Sequence, residues 1–266
     1  MNATTNHFIS TYGSYALVTG ASEGIGRSFA TQLAKRGLNV LLVARRAEAL
    51  NQLSQELESK FGVLCPVVVA DLSIDSDVEH VLQQSHKLDI GLAICNAGYG
   101  TAGNFLDNNL EIEMNMLRVN CSAVTRMAHV LGKQLRTRGK GGMVLMSSVL
   151  ATQGVARSAN YAASKAYVHS LGEALQEEWR GNGIHLLIVA PGPVATGFAK
   201  RSKMQMGQAS TPDVVAIESL DALGKKRIVH PGWLAKLMVL ALSTAPRFLR
   251  VKIMGEIMGG MTKQLN

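Results

Sequence analysis

The sequence predicts a single-domain α/β fold in which a doubly wound parallel sheet of about seven strands carries helices on both faces. Short, nearly continuous apolar runs alternate along the chain with longer segments of helical periodicity. The runs are rich in β-branched residues, as strands buried on both faces require, and their alternation with helices implies right-handed βαβ units. The chain has 266 residues, 47% of them hydrophobic, which suits one large core.

Seven segments are predicted to be strands and five to be helices. The predicted strands are residues 15–20, 39–44, 64–71, 89–98, 141–148, 183–192 and 225–231. The predicted helices are residues 24–36, 46–60, 75–87, 106–138 and 158–181. Residues 193–224 are irregular and polar, and because long segments of this kind are usually functional or mobile, we expect an insertion that covers a site.

The domain is predicted to span residues 14–245. It follows a short N-terminal extension, residues 1–13, and precedes an apolar and basic tail, residues 246–266. The first 14 residues lack the basic and apolar regions of a signal peptide. No stretch of 18 residues is apolar and free of charge, so no membrane span is predicted.

Cysteine usage and charge exclude further classes of protein. Three cysteines, with no CxxC pair and no His/Cys cluster at metal-ligand spacing, predict neither a disulfide framework nor a metal site, and we expect a reducing, cytoplasmic location. The formal net charge of +8 comes from small basic clusters. A nucleic-acid binder can have such clusters, but no recognition motif accompanies them, and a polyanionic small molecule explains them equally well. Lys200, Arg201 and Lys203 either meet an acidic substrate or form a solvated loop.

A glycine-rich loop, TGASEGIG at residues 19–26, joins the first predicted strand to the first predicted helix. Gly20 allows the tight turn, Gly24 lets the backbone approach a phosphate, and Gly26 lets helix and strand pack closely. A pyrophosphate would lie at the helix N-terminus, where free N–H groups and the helix dipole favour an anion. The spacing is G-x3-G-x-G instead of the common G-x-G-x-x-G. The loop predicts dinucleotide binding in a Rossmann fold, with a turn chosen for packing alone as the alternative.

The end of the second predicted strand, LLVARR, bears on which dinucleotide binds. An acidic residue there would hold the ribose 2′-OH of NAD, but Ala44 occupies that position and Arg45 follows it. One or two guanidinium groups can pair with a 2′-phosphate, so the sequence favours NADP(H) over NAD(H). Glu23 in the glycine loop weakens this case, and Arg46 is alternatively a solvated residue at a helix start.

The stretch NYAASKAYVHS, residues 160–170, places Lys165 one helical turn after Tyr161 on the same helix face. A lysine ammonium stabilises tyrosinate and lowers the tyrosine pKa toward neutral pH, where acid–base catalysis is most effective. Taken alone, the stretch also fits an ordinary helix. Tyr167 points to a different part of the helix surface and is predicted to pack against its neighbours.

Together these motifs resemble the classical short-chain dehydrogenase/reductase family over residues 14–245. The matching segments are the phosphate loop TGASEGIG, the strand end ADL at 70–72, the fourth-strand motif NAG at 96–98, the helix asparagine Asn120, the motif YAASK, and the cofactor turn PGPVAT at 191–196. In this family the active-site serine lies thirteen residues before the tyrosine, which selects Ser148 over Ser147.

The resemblance implies an enzyme that transfers a hydride between a nicotinamide cofactor and a carbonyl or secondary alcohol. The implied catalytic residues are Ser148, Tyr161, Lys165 and Asn120. The implied cofactor-binding residues are Gly20, Ser22, Glu23, Gly24, Ile25, Gly26, Arg45, Asp71, Leu72, Asn96, Ala97, Gly98, Tyr161, Lys165, Pro191, Gly192, Val194 and Thr196. In this scheme Ser148 Oγ holds the substrate oxygen beside the Tyr161 hydroxyl, Lys165 bonds the nicotinamide ribose, and Asn120 fixes a water that links Lys165 to solvent.

The C-terminal part departs from the usual family pattern, because it lacks the V-D-G-G sequence on which the common tetramer partly depends. The resemblance therefore implies a homodimer or a higher homo-oligomer, with 106–138 and 158–181 paired across a two-fold axis. The ending HPG…K…APR is more similar to a branch that includes 3-ketoacyl-CoA and 17β-hydroxysteroid reductases.

The tail and the histidines leave alternatives open. Met254, Met258 and Met261 either line a site for a flexible apolar substrate or pack in a core or dimer. His169 and His185 are predicted to be structural. Two other functions compete with a reductase: a non-catalytic NADP-binding regulatory protein, and a membrane-surface protein that uses 246–261 as an amphipathic anchor in peripheral contact with lipid.

Overall fold

The structure is a computed structural model that describes residues 3–202 and 207–262, without the side chains of residues 3–7 and 199–200. Seven parallel strands form one sheet in the order β3-β2-β1-β4-β5-β6-β7. The strands are β1 (Tyr15–Thr19), β2 (Asn39–Ala44), β3 (Val67–Val69), β4 (Ile90–Cys95), β5 (Gly141–Met146), β6 (Ile184–Val189) and β7 (Ile228–Val229). This topology confirms the predicted doubly wound sheet.

Helices cover both faces of the sheet. They are α1 (Ala3–Tyr12), α2 (Gly24–Lys35), α3 (Ala47–Phe61), α4 (Asp75–His86), α5 (Leu110–Leu117), α6 (Val124–Arg138), α7 (Ala159–Glu178), α8 (Gly197–Arg201), α9 (Pro212–Ala222), α10 (Trp233–Ser243) and α11 (Arg247–Met261). Two apolar cores, one on each face, contain fully buried side chains such as Phe29 and Leu33 on one side and Leu17 and Leu131 on the other. Each strand of the parallel sheet is therefore apolar on both faces.

The predicted helix 106–138 is divided into shorter elements. A 3-10 turn, Phe105–Asp107, precedes α5, which begins after Asn109 because the side chain of that residue accepts hydrogen bonds from the amides of Glu111 and Ile112. A π-helical turn, Arg118–Ala123, then separates α5 from α6. Such turns occur often at functional sites, and this one contains Asn120.

The insertion 193–224 is more regular than the sequence suggested. The prediction of an irregular segment is wrong for α9, which begins at Pro212 after Thr211, whose side chain accepts a hydrogen bond from the Val214 amide. Val215, Ala216 and other small side chains of α9 are buried against α2. A proline at the first helical position and an N-cap threonine are sequence features that favour this helix. Lys203 and the side chain of Lys200 lie outside the described part of the chain.

The N-terminal extension packs against the sheet. Tyr12 is buried in the core, its ring lies against Gly142, and its hydroxyl is 2.9 Å from Nδ1 of His185. Burial lowers the pKa of His185, which favours the neutral form of that ring. His185 thus has the structural role that was predicted, and α1 covers strands β4 and β5.

Candidate functional site

A cleft of about 500 Å³ lies at the carboxyl ends of the strands, where the strand order reverses between β1 and β4. Open α/β sheets bind their ligands at such switch points. The predicted cofactor residues that line the cleft are Gly20, Ser22, Glu23, Gly24, Ile25, Arg45, Asp71, Leu72, Asn96, Ala97, Gly98, Tyr161, Lys165, Pro191 and Thr196. Of the other predicted cofactor residues, Gly192 and Val194 line a neighbouring cavity, and Gly26 lies beneath the loop.

The glycine loop fits a phosphate group. Gly20 and Gly24 have φ angles of +67° and +54°, a backbone conformation that favours glycine. A Cβ on Gly26 would overlap the carbonyl oxygen of Gly20 and come within 2.6 Å of Asn96 Nδ2, so only glycine allows this close approach. Helix α2 begins at Gly24 without a side-chain cap, which leaves backbone N–H groups at its positive end for an anion.

Asn96 links the end of β4 to the start of the glycine loop through hydrogen bonds to Thr19. Its Nδ2 donates to the Thr19 carbonyl oxygen at 2.9 Å, and its backbone amide donates to Thr19 Oγ1 at 3.0 Å. The Ala97 amide also donates to Thr19 Oγ1, at 2.9 Å. Asn96 therefore shapes the cleft in addition to lining it.

Two ion pairs lie where the 2′-phosphate of NADP would be expected. Arg45 Nη1 is 3.5 Å from Asp71 Oδ2, and Arg46 Nη2 is 2.7 Å from Glu23 Oε2. Burial opposes ionisation of Asp71, but hydrogen bonds from Ser73 and the charge of Arg45 lower the pKa of its carboxyl group below the usual value. The arginines thus face the cleft, and each is already paired with an acid of the chain.

Arg201 adds a third arginine to this cluster. It extends from α8 in the insertion and forms an ion pair with Glu23 of the glycine loop. Glu23 therefore accepts from two arginines and joins the insertion to the cofactor loop. The sequence placed Glu23 beside the cofactor but did not indicate this link, because the pairing depends on how the insertion folds.

The structure brings the four predicted catalytic residues together. Lys165 Nζ lies 5.8 Å from the centre of the Tyr161 ring, and Ser148 lies close enough to the Tyr161 hydroxyl to act on its pKa. Ser148 also accepts a hydrogen bond from the Leu150 amide at 3.2 Å, which fixes its side chain just beyond β5. Asn120 Oδ1 accepts from the Tyr99 amide at 3.2 Å, and its Nδ2 donates to the Tyr99 carbonyl oxygen at 2.9 Å.

Burial controls the protonation of both central groups. It raises the pKa of Tyr161 to about 12, although the hydrogen bond from Ser148 opposes the increase. It lowers the pKa of Lys165 to about 8, since desolvation penalises an ammonium group. The expectation that Lys165 would lower the tyrosine pKa is therefore not met in this structure. The reason is that the removal of both side chains from water disfavours both charged forms.

A second cavity, of about 410 Å³, opens on the other side of Tyr161. Its lining is mostly apolar and comes from the strand ends, the insertion, α10 and α11. Ser148, Tyr161, Thr196 and Gln208 are its polar lining residues, and Met254 and Met258, which are buried, line its wall. Met261 lines it as well. Met254 and Met258 also pack in an apolar cluster with Val155 and Ala162, so the tail methionines both pack in a core and line a cavity.

Phe198 and Tyr99 are site residues that sequence reasoning missed. The Phe198 ring packs at 5.4 Å, centre to centre, on the ring of Tyr161 and lines both cavities. Tyr99 lines the cleft, and its hydroxyl donates to Asn115 Oδ1 at 2.8 Å. Tyr99 follows the NAG motif directly, which is a usable sequence indication, but nothing in the local sequence marks Phe198.

His169 and Tyr167 were predicted to lie outside the catalytic machinery. His169 Nδ1 lies 3.3 Å from Ser147 Oγ, which agrees with a structural role. Tyr167 packs only in part: 45% of its surface is exposed, and its hydroxyl lies 2.7 Å from Thr125 Oγ1 at the surface.

A family model described as short chain dehydrogenase matches residues 14–207, most of the chain. The chain belongs to this family. The match ends inside the insertion, so α9, α10 and α11 lie beyond it.

Curated relatives of this short-chain dehydrogenase have different names. The chain is 31% identical to mouse 17-beta-hydroxysteroid dehydrogenase type 3, over 80% of this chain and 70% of that protein. It is 30% identical to the very-long-chain 3-oxoacyl-CoA reductase of Macaca fascicularis, over 91% of this chain and 78% of that protein. It is also 30% identical to the inactive hydroxysteroid dehydrogenase-like protein 1 of Pongo abelii, over 91% of this chain and 76% of that protein.

Solved structures show the same fold. A 7beta-hydroxysteroid dehydrogenase superposes with a TM-score of 0.86 at 27% identity, over 93% of this chain and 98% of that one. A short-chain dehydrogenase from Sphingobium yanoikuyae, in complex with NADPH, has a TM-score of 0.80 at 28% identity, over 89% and 94%. These comparisons support the membership of the chain in a family of oxidoreductases that bind a nicotinamide cofactor.

Proposed function

We propose that the protein is an NADP(H)-dependent oxidoreductase that transfers a hydride between the nicotinamide and the carbonyl or secondary alcohol of a moderately apolar substrate. The observation that carries this proposal is the position of Tyr161, which lines both the polar cleft and the apolar cavity. A general acid–base group must reach the substrate atom that it protonates, and hydride transfer requires cofactor and substrate to meet, so a residue where the two cavities adjoin is placed for this role.

The cleft would hold the cofactor. Backbone groups of the glycine loop and the start of α2 would bind its pyrophosphate, and Asp71 at the end of β3 would lie near the adenine. Thr196 and Lys165 would lie near the nicotinamide end, where they line the cleft. When bound, the cofactor supplies the hydride for reduction or accepts it in oxidation.

Tyr161 would transfer the proton. During reduction the carbonyl oxygen gains negative charge, and the Tyr161 hydroxyl donates its proton to that oxygen as the new C–H bond forms. Because burial raises the pKa of Tyr161 to about 12, the residue is protonated at neutral pH and is a ready donor for an alkoxide.

The neighbouring residues would orient and reprotonate Tyr161. Ser148 lies near its hydroxyl, lines the apolar cavity, and would hold the substrate oxygen on the cavity side. Lys165 would stabilise the phenolate after proton transfer. Asn120 is fully buried, and its side chain bonds to Tyr99 and to Ser164 Oγ on α7, so it is held close to Lys165 and would position a relay water.

The arginines at the end of β2 support NADP(H) over NAD(H). Arg45 and Arg46 both line the cleft, next to the position where a 2′-phosphate would be bound. The Sphingobium structure, which contains NADPH, is consistent with this preference. The existing pairs with Asp71 and Glu23 hold the guanidinium groups in place, and an incoming phosphate would compete with those carboxylates.

The apolar cavity supports a substrate with a ketone on a largely hydrocarbon body. A volume of about 410 Å³ lies within the usual range for small-molecule sites. Methionine walls adapt to ligands of different shape. Similar proteins are named for 17-beta-hydroxysteroids and very-long-chain 3-oxoacyl-CoA, so steroids, 3-oxoacyl thioesters and other bulky ketones are the candidate substrates.

A substrate screen tests the proposal. NADPH oxidation is followed at 25 °C with steroid ketones, 3-oxoacyl thioesters and bulky aliphatic ketones, and each active substrate is retested with NADH. We expect turnover of at least one apolar ketone, with NADPH preferred. Absence of turnover for all three classes, with NADPH binding intact, would favour the alternative below.

A non-catalytic NADP-binding regulatory protein is the second candidate, and the similarity to a protein named inactive favours it. This chain, however, contains Ser148, Tyr161 and Lys165 in one cluster, which a purely regulatory protein has no need to keep together. Binding of NADPH without oxidation of it by any ketone would support the regulatory function.

We also propose a homodimer formed through α5, α6 and α7. Leu110, Ile112 and Met114 on α5 are exposed apolar side chains, as is Tyr167 on α7, and such a concentration favours a protein interface. Light scattering tests this proposal. The expected mass is twice that of the 28.5 kDa chain, and a monomer at micromolar concentration would contradict it.

A further inference from the structure

Helix α10 has a row of exposed apolar side chains. Trp233, Leu237 and Leu240 are 63%, 51% and 71% exposed, respectively. Their spacing of four and three residues places them on one face of the helix. The opposite face packs on the protein, where Ala235 is buried and Leu234 and Met238 line the apolar cavity. Exposed apolar rows of this kind mark interaction sites.

The following helix carries further exposed apolar side chains. Phe248 and Leu249, in the first turn of α11, are 76% and 38% exposed. We call these two residues, with Trp233, Leu237 and Leu240, the C-terminal apolar face. The adjacent cavity opens near it, because Ile257 of α11 lines the cavity and is also 42% exposed.

Charge distinguishes this surface from an ordinary protein contact. Residues 232–261 contain four basic side chains, Lys236, Arg247, Arg250 and Lys252, and one acidic side chain, the exposed Glu256. Lys236 is paired with Glu218 at 2.8 Å, but Arg247 and Lys252 lie exposed beside the apolar residues of α11. Apolar side chains bordered by cations are the pattern that anionic lipid attracts.

We propose that the C-terminal apolar face docks on the surface of an anionic lipid bilayer. Trp233 and Phe248 would enter the interface between headgroups and acyl chains, and Arg247 and Lys252 would contact lipid phosphate or carboxylate groups. Among the residues that the structure describes, no helix is long and apolar enough to cross a bilayer. The contact is therefore peripheral, and it is reversible by salt.

Docking would also serve the substrate, a step that rests on the proposed function. The face and the cavity share α10 and α11, so a docked protein would hold the cavity rim near Ile257 against the acyl region. An apolar ketone dissolved in the bilayer could then enter without crossing water, whose unfavourable contact with apolar surface is large.

Intrinsic fluorescence tests the docking directly. The chain has two tryptophans, and a Trp179→Phe variant leaves only Trp233. We expect the emission of that variant to shift to shorter wavelength with vesicles that contain phosphatidylserine, and to stay unchanged with pure phosphatidylcholine vesicles. High salt should reverse the shift. No shift with phosphatidylserine at low salt would overturn the proposal, as would an equal shift with both lipids.

Paired variants locate the surface. Leu240→Ser with Phe248→Ser removes two exposed side chains of the face and should weaken vesicle binding by about 30-fold or more. Leu64→Ser with Ile74→Ser is the matched control, since these residues are 59% and 49% exposed near the opposite sheet edge, and it should bind as the wild type does. Equal loss in both pairs would contradict the assignment.

The role of charge has its own variant. Arg247→Gln with Lys252→Gln should reduce binding to phosphatidylserine vesicles by about 30-fold.

Light scattering of the Leu240→Ser, Phe248→Ser pair tests a competing explanation. If these substitutions halve the mass of the wild-type particle, the face is a contact between copies and the lipid proposal fails. NADPH oxidation with a soluble ketone, without vesicles, tests the proposed function separately.

Discussion

The Lys165 ammonium group donates a hydrogen bond to the carbonyl oxygen of Met146 at 2.8 Å. This bond ties the middle of α7 to the end of β5 and holds the lysine within the protein, where only 6% of its surface is exposed. The Met146 carbonyl therefore positions the Lys165 ammonium next to Tyr161, and little solvent is available there to stabilise its positive charge.

Stability should depend on pH through Lys165. Its pKa is about 8 in the folded protein and about 10.5 in the unfolded chain, so between these values the unfolded chain binds more protons and stability rises with pH. Below pH 8 the buried group is an ammonium, and the unfavourable free energy of burying its charge lowers the free energy of unfolding in full. Urea denaturation should show the wild type gaining about 1–2 kcal/mol between pH ~8 and ~9.5 relative to Lys165→Met. Parallel pH profiles for the two proteins would contradict the buried ammonium.

Arg45→Ala should weaken NADPH far more than NADH. Loss of a charge-assisted bond to a 2′-phosphate should raise the KM for NADPH by about tenfold or more, whereas NADH has no phosphate there. Steady-state kinetics with both cofactors checks this result. Arg118→Ala removes an exposed arginine paired with Glu111 and serves as the control. Equal effects of Arg45→Ala on the two cofactors would refute the phosphate contact.

Glu23→Gln should tighten NADPH. The Glu23 carboxylate holds Arg46 at 2.7 Å and also pairs with Arg201, so it competes with a 2′-phosphate for both guanidinium groups and repels the phosphate itself. Removal of its charge should lower the Kd for NADPH several-fold and leave that for NADH nearly unchanged, as measured by cofactor fluorescence titration. Weaker binding of NADPH by the variant would show that Glu23 serves mainly to hold the arginines in place.

Gly26→Ala should destabilise the protein and abolish cofactor binding. The added methyl group would meet Asn96 Nδ2 and the Gly20 carbonyl, and overpacking of this kind costs about 1–3 kcal/mol. Gly154→Ala is the control, because a Cβ at that position meets no atom within 4 Å. Thermal unfolding and NADPH titration of both variants check the prediction. A Gly26→Ala variant as stable as Gly154→Ala would show that the loop is not closely packed.

Much of the sheet and the glycine loop could be predicted because local residues determine them. Apolar runs place the strands, and Gly20, Gly24 and Gly26 are required at positions where a side chain would clash or strain the backbone. The spacing of Tyr161 and Lys165 on one helix face is likewise a local property.

The parts that could not be predicted depend on contacts between distant segments. Glu23 and Arg201 meet only because α8 folds over the cofactor loop. Phe198 reaches Tyr161 by the same fold. The raised pKa of Tyr161 follows from burial of its side chain by the whole domain. The exposed apolar face of α10 could not be predicted for a different reason. A helix that is apolar on both sides has no hydrophobic periodicity to indicate which side is covered.

Tyr161→Phe is the most direct test of the proposed chemistry. The substitution removes only the hydroxyl, so the ring can still pack against Phe198, and NADPH should bind with a Kd close to that of the wild type. Single-turnover oxidation of bound NADPH by an active ketone should fall by about 1,000-fold or more, because the proton donor is lost. Reduction at a rate near that of the wild type would contradict the assignment of Tyr161 as the acid–base residue.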